Sequence, residues 1–274
     1  MGVEYDGSRF CGWQTQPEGY AVQDALERAL AQIAGAPIAT VCAGRTDAGV
    51  HALAQVVHFD TAAERPESAW VRGVNALLPA ACAVHWSRPV AQDFHARYSA
   101  LSRCYRYVLL NHPVRPAVDV ARVGWFHLPL DLQGMRRAAR LLVGEHDFNA
   151  FRSAECQART PVRTIARLDV TRHGAYVLFD VCANAFLHHM VRNIVGCLIY
   201  VGKGKHPPGW VAELLVGRDR TRAAPTIEAG GLYLSRVVYE PHWGLPHAPR
   251  RALIEMGNGK LAAGRRKAGA RSAV

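Results

Sequence analysis

The chain has 274 residues, half of them hydrophobic, enough for a sizeable core in one large or two ordinary domains. Its 33 Lys and Arg against 22 Asp and Glu give a net charge of +11, which points to a polyanionic partner, nucleic acid or an acidic membrane surface. No run approaches the roughly 18 apolar residues of a membrane span, and the first residues lack the basic-then-apolar design of a secretory signal.

The charge is uneven. Residues 250–274 hold seven basic residues and one acid, +6 of the +11, leaving +5 on residues 1–249. With Pro241 ahead of it and Pro246 and Pro249 at its start, the stretch 246–274 reads as a basic, disordered tail. The seven cysteines are odd in number, scattered and free of C-x-x-C pairs, so reduced, mostly buried thiols and a cytoplasmic protein are expected.

Val22, Leu26, Ala29, Leu30 and Ile33 form a helical stripe, and extended segments follow at 39–43 and 54–59. Trp70, Val71, Val74, Leu77 and Leu78 form a second helical stripe closed by Pro79, and Ser99–Leu110 reads as a strand. Farther on, Leu132, Met135, Ala139 and Leu142 predict a helix, and 167–172 with 176–183 a hairpin turning at His173–Gly174. Asn184 is placed to cap a helix over 185–201, a shorter helix spans 210–216, and 231–239 is a closing strand. This order predicts an α+β sheet with helices on one face, divided into domains at 1–100 and 101–245.

Between the two early strands lies Ala43-Gly44-Arg45-Thr46-Asp47-Ala48-Gly49-Val50-His51. A plain hairpin turn is one reading of an acid set between glycines. The other is chemical. Arg45 would favour a charged Asp47, glycines admit a large substrate, and such a carboxylate can act as a nucleophile or stabilise an oxocarbenium-like sugar. Arg192 sits in an apolar segment, and no Asp or Glu occurs from Val181 through Ala212. A buried guanidinium there needs a distant carboxylate, and Asp47 is a candidate. Along Arg103-Cys104-Tyr105-Arg106-Tyr107, Arg103, Tyr105 and Tyr107 share one face, a pattern suited to stacking a base and holding a phosphate. No metal site is expected: the thirteen histidines form no H-E-x-x-H, and His188 and His189, adjacent on a helix, would point apart. Gly196…Gly202-Lys203 misses the Walker spacing and its Ser/Thr.

The Gly44–Ala52 loop resembles the signature of the tRNA pseudouridine synthase A family. The likeness continues in Glu4-Tyr5-Asp6-Gly7, Gly12-Trp13-Gln14, Val22-Gln23, Phe94-His95-Ala96-Arg97 and Tyr105-Arg106-Tyr107. It resumes in Ala183 through Asn193 and in Gly230-Gly231-Leu232-Tyr233-Leu234, so it covers about residues 3–240. The chain departs from the pattern in having only three residues ahead of Glu4, so either a short first strand or a truncated start is expected.

The resemblance implies two ferredoxin-like or RNA-recognition-motif-like halves sharing one mixed, largely antiparallel sheet. It implies isomerisation of uridines 38, 39 and 40 in the tRNA anticodon arm by a cofactor-free homodimer whose cleft spans both subunits. Asp47 matches the catalytic aspartate, Tyr105 the tyrosine that packs on the uracil, Arg192 the partner of the carboxylate, and Arg45 the arginine holding the flipped-out site open. Arg103, Arg106, Arg152, Arg159 and Arg163 are candidates for backbone-phosphate contacts. A second reading is a catalytically silent RNA-binding or RNA-folding module on the same scaffold.

Overall fold

The computed structural model describes residues 1–17 and 19–246, so nearly all of the expected tail lies outside the described residues. The strands are β1 (Gly2–Tyr5), β2 (Val41–Cys42), β3 (His51–His58), β4 (Cys82–Trp86) and β5 (Ala100–Asn111), then β6 (Gly124–Phe126), β7 (Gly144–Asp147), β8 (Val162–His173), β9 (Tyr176–Ala183) and β10 (Leu232–Tyr239). The α-helices are α1 (Val22–Ala34), α2 (Val74–Leu77), α3 (Leu132–Arg140), α4 (Met190–Gly202) and α5 (Trp210–Gly217).

Among the described residues the strands form one ten-stranded sheet in the order β4-β1-β3-β10-β5-β9-β8-β7, with β2 added to β3 and β6 to β5. Every pairing is antiparallel except β3–β10 and β5–β6. The closing strand β10 runs between β3 and β5, and so joins the first hundred residues to the rest in a single hydrogen-bonded surface.

The period-2 pattern of β5 divides its side chains between two cores. Tyr105, Tyr107 and Leu109 enter the main cluster with Leu26 and Leu30 of α1, Met135 of α3, Ile194 and Leu198 of α4, and Trp210 of α5. Val108 and Leu110 face the other way, into a smaller cluster with Leu53, Val123, Leu178 and Tyr233 that contains no helical residue. The helices therefore lie on one face, and each fully buried Leu or Phe there stabilises the fold by about 1.5–3 kcal/mol.

The stripe at 22–33 becomes α1, whose first turn is held by Asp24 accepting from Ala21 N and whose end is closed by Gly35 in the left-handed region. The hairpin forms as read, turning at Gly174. Three expectations change. The helix expected from Ala185 starts at Met190, because Asn184 Oδ1 accepts from Ala185 N and Thr164 N, and residues 184–189 run as an irregular crossing. Strand β4 is new, pairing with β1 at the sheet edge. Cys104 and Cys182, directly opposite in the β5–β9 register, are joined by a disulfide, whereas all seven cysteines were expected to be reduced. Their separation of 78 residues leaves no pairing signal in the sequence.

Candidate active site

Asp47 sits on the connection between β2 and β3, and the loop is fastened at several points by groups remote in sequence. Trp13 N donates to Thr46 O, Thr46 Oγ1 hydrogen-bonds Tyr5 OH, and the buried Gln55 donates to Gly44 O. Gly12 packs so tightly beneath the loop that a Cβ there would lie 2.9 Å from Thr46 O, and its φ is +88°. Only glycine meets both demands without strain. Gly49, at φ +78°, turns the chain back into β3. The loop's Asp is thus held by its backbone, with its side chain left 24% exposed.

Four side chains converge on it or beside it. Arg192, on the first turn of α4, places Nη1 3.1 Å from Asp47 Oδ2 while its Nε donates to Ile227 O. This is the distant carboxylate expected for an arginine with no acid near it in sequence. His189 Nε2 lies 3.3 Å from the same Oδ2, and His188 Nε2 lies 3.3 Å from Oδ1. The two rings lie against each other with centroids 4.0 Å apart and planes tilted by 38°. Adjacent residues meet one carboxylate because neither lies on a helix, as had been expected: His189 takes φ +61°, a left-handed conformation that costs a non-glycine residue about 1 kcal/mol or more. Burial, with the charges of His188 and Arg192, lowers the pKa of His189 despite the opposing pull of Asp47. That strained turn is invisible in the sequence, and the role of the two imidazoles was missed with it.

Tyr105 stands at the floor of this cluster, 8% exposed, its ring edge-on to Phe186 at 5.1 Å and its OH beneath Gly44. Burial, then the charge of Asp47, pushes its phenol pKa well above the usual range. Tyr107 is fully buried and donates to Glu228 O, so it belongs to the core. Arg45 is exposed and, among the described residues, makes no ion pair or hydrogen bond, and the guanidinium that touches the Asp47 carboxylate is that of Arg192.

Two of the expected phosphate contacts are corrected. Arg103 is buried and donates to the carbonyls of Ala43, Ala100, Asn184 and Arg97. It ties the start of the Asp47 loop to the start of the histidine segment, and burial lowers its pKa. Arg106 lies on the opposite face in a two-pronged ion pair with Asp180. Arg152 donates to Cys156 O and Arg163 to the carbonyls of Thr160 and Val162, and Arg159 is exposed.

The oxygen of Asp47 and the ring nitrogens of His188 and His189 lie within 4.8 Å of one another, donors of the kind transition metals take. A cation there would have to compete with the Arg192 guanidinium already on Oδ2. What the arrangement can do without one is hold a charged carboxylate in fixed orientation beside groups able to carry a proton.

A family profile described as tRNA pseudouridine synthase matches residues 1–99 and 138–240. The chain is 57% identical over 251 residues to the tRNA pseudouridine synthase A of Thiobacillus denitrificans, covering 92% of this chain and 96% of the relative. It is 57% identical over 246 residues to that of Dechloromonas aromatica, covering 90% and 94%, and 56% identical over 254 residues to that of Methylobacillus flagellatus, covering 93% and 97%. Among solved structures, a chain of an H/ACA RNP bound to a substrate RNA containing 2′-deoxyuridine matches with a TM-score of 0.36 and 13% identity, over 73% of this chain and 44% of that one.

Proposed function

The chain belongs to the tRNA pseudouridine synthase family and isomerises uridine in tRNA, and on that premise we propose that Asp47 is its catalytic carboxylate. The observation that carries this reading is the convergence on Asp47 of Arg192, 145 residues away in sequence, and of His188 and His189. Uridine and pseudouridine have the same composition, so the reaction consumes no co-substrate. The N1–C1′ bond breaks, the base turns, and C5 bonds to C1′.

Asp47 attacks either C6 of the base or C1′ of the sugar, with Arg192 fixing its orientation. The target nucleotide must leave its stack to reach a residue at this depth. Tyr105 is the ring that replaces the lost stacking, for which Phe186 must move aside. Arg45, exposed two residues from Asp47 and in no ion pair or hydrogen bond among the described residues, contacts the displaced nucleotide in this reading.

The proposed targets are uridines 38, 39 and 40 of the anticodon arm, recognised through backbone shape and charge more than base identity. A homodimer is proposed, and Val114, Val118 and Val120, all exposed on the loop between β5 and β6, offer apolar surface for a subunit contact. Among the described residues no helix is long and apolar enough to cross a membrane, and the proposed location is the cytoplasm.

The test is carbodiimide mapping of pseudouridine by primer extension on unmodified tRNA treated with the enzyme. Stops one nucleotide 3′ of 38, 39 or 40 are expected. Modification confined to another part of the tRNA would overturn the assignment of position. Light scattering of the same preparation reports the subunit number.

A further inference from the structure

Asp47 uses its two oxygens differently. Oδ2 is shared by Arg192 Nη1 at 3.1 Å and His189 Nε2 at 3.3 Å. Among the described residues Oδ1 has only His188 Nε2, at 3.3 Å. The more heavily engaged oxygen is the one that orients the carboxylate, and Oδ1 is the one left to react. His188 is the more open of the two imidazoles, 33% exposed against 26%. Its backbone is nonetheless pinned, for its N–H points to Cys156 Sγ and its carbonyl accepts from Ser153 N.

We infer that His188 is the base that removes the C5 proton of the target uridine, while His189 and Arg192 hold Asp47 in position. The inference rests on the reading of Asp47 as the catalytic carboxylate. Whichever carbon Oδ1 attacks, C6 or C1′, C5 lies one bond beyond it, bonded to C6 throughout and to C1′ in the product. A nitrogen 3.3 Å from Oδ1 therefore stands on the side of the carboxylate where the reacting base binds, beside the carbon that bears the proton. Once C5 has bonded to C1′ it is tetrahedral and carries that proton. The C5–H bond breaks, its electron pair becomes the C5=C6 double bond, and the proton passes to His188 Nε2. The displaced pair goes to N1, which takes a proton from water, or returns to Asp47 Oδ1 as it leaves C6. His188 then releases its proton to solvent. Tyr105 is a poor rival for the task, since burial and the neighbouring charge of Asp47 keep its phenol protonated.

Two substrates separate this step from the earlier ones. Fluorine cannot leave C5 as a cation, so tRNA carrying 5-fluorouridine undergoes glycosidic exchange without loss of a C5 proton. His188→Gln is expected to slow single-turnover formation of pseudouridine by about 10²–10⁴-fold. It should slow the rearrangement of 5-fluorouridine by no more than about tenfold, which also reports that the variant is folded. With 5-deuterated uridine, the isotope effect on the variant should exceed that on the wild type, because C5–H cleavage becomes limiting. Equal slowing of both substrates, or a near-normal rate on uridine, would overturn the role of His188. Asp47→Asn is expected to be inactive on both substrates. If it still rearranged 5-fluorouridine, the reading of Asp47 itself would fail, whatever His188 does.

Discussion

The two sides of the site are built by opposite means. The Asp47 loop is held by its main chain, with Thr46 O, Gly44 O and the close approach of Gly12 fixing a side chain that stays partly exposed. The facing segment, 184–192, brings three nitrogen-bearing side chains to one carboxylate, and does so through a left-handed residue at the head of α4. A carboxylate can be placed by a turn of glycines, whereas two adjacent imidazoles converge only if the helix is delayed. The strain at His189 is the local cost of that convergence.

Arg103 is where the two sides meet, and breaking it should give the largest effect on stability. Arg103→Met leaves the carbonyls of Ala43 and Asn184 without their donor, and a loss of about 3–5 kcal/mol is expected in urea unfolding, with turnover lost as the sides separate. A variant of normal stability would show that the two sides hold independently. Arg192→Ala should abolish turnover and cost about 2 kcal/mol, between the figures for exposed and fully buried pairs. Near-normal single-turnover rates in that variant would sink the pairing. Gly12→Ala should cost about 1–2 kcal/mol through its positive φ and its contact with Thr46 O, and lower turnover by disturbing the loop alone.

The smallest effect sharpens the contrast most. His189→Gly relieves the left-handed strain, so thermal stability should hold or rise by under about 1 kcal/mol while turnover falls. Because burial lowers the pKa of His189, its neutral form supports the fold above the unfolded value of about 6.5. That contribution is lost as pH falls through the lower folded value, and the glycine variant should lose less stability on acidification. A stability drop in His189→Gly at pH 8 would show that the ring packs more than it strains.

Much of the scaffold was legible because its signals are local. The stripe from Val22 to Ile33 gives α1, and the two runs around Gly174 give the β8–β9 hairpin. The Arg192–Asp47 pair was legible for a different reason: a guanidinium in an acid-free apolar stretch must find its partner elsewhere. Arg103 was misread because alternation with Tyr105 fixes which face it occupies, not how deeply it is covered, and its partners are main-chain carbonyls that no sequence displays. The delayed start of α4 failed for a related reason. Phe186, Leu187, Met190 and Val191 keep a helical spacing, but a single φ of +61° at His189 overrides it. Backbone conformation of that kind answers to the site and leaves no trace in periodicity.

Everything assigned to the second side depends on what the first side does, and that is open to a direct measurement. Tritium release from tRNA labelled at C5 of uridine, under single-turnover conditions, compares wild type with Asp47→Asn at matched tRNA occupancy. Full release by the wild type and none above background by the variant is the expected result. Release by the variant within tenfold of the wild-type rate would contradict a catalytic Asp47.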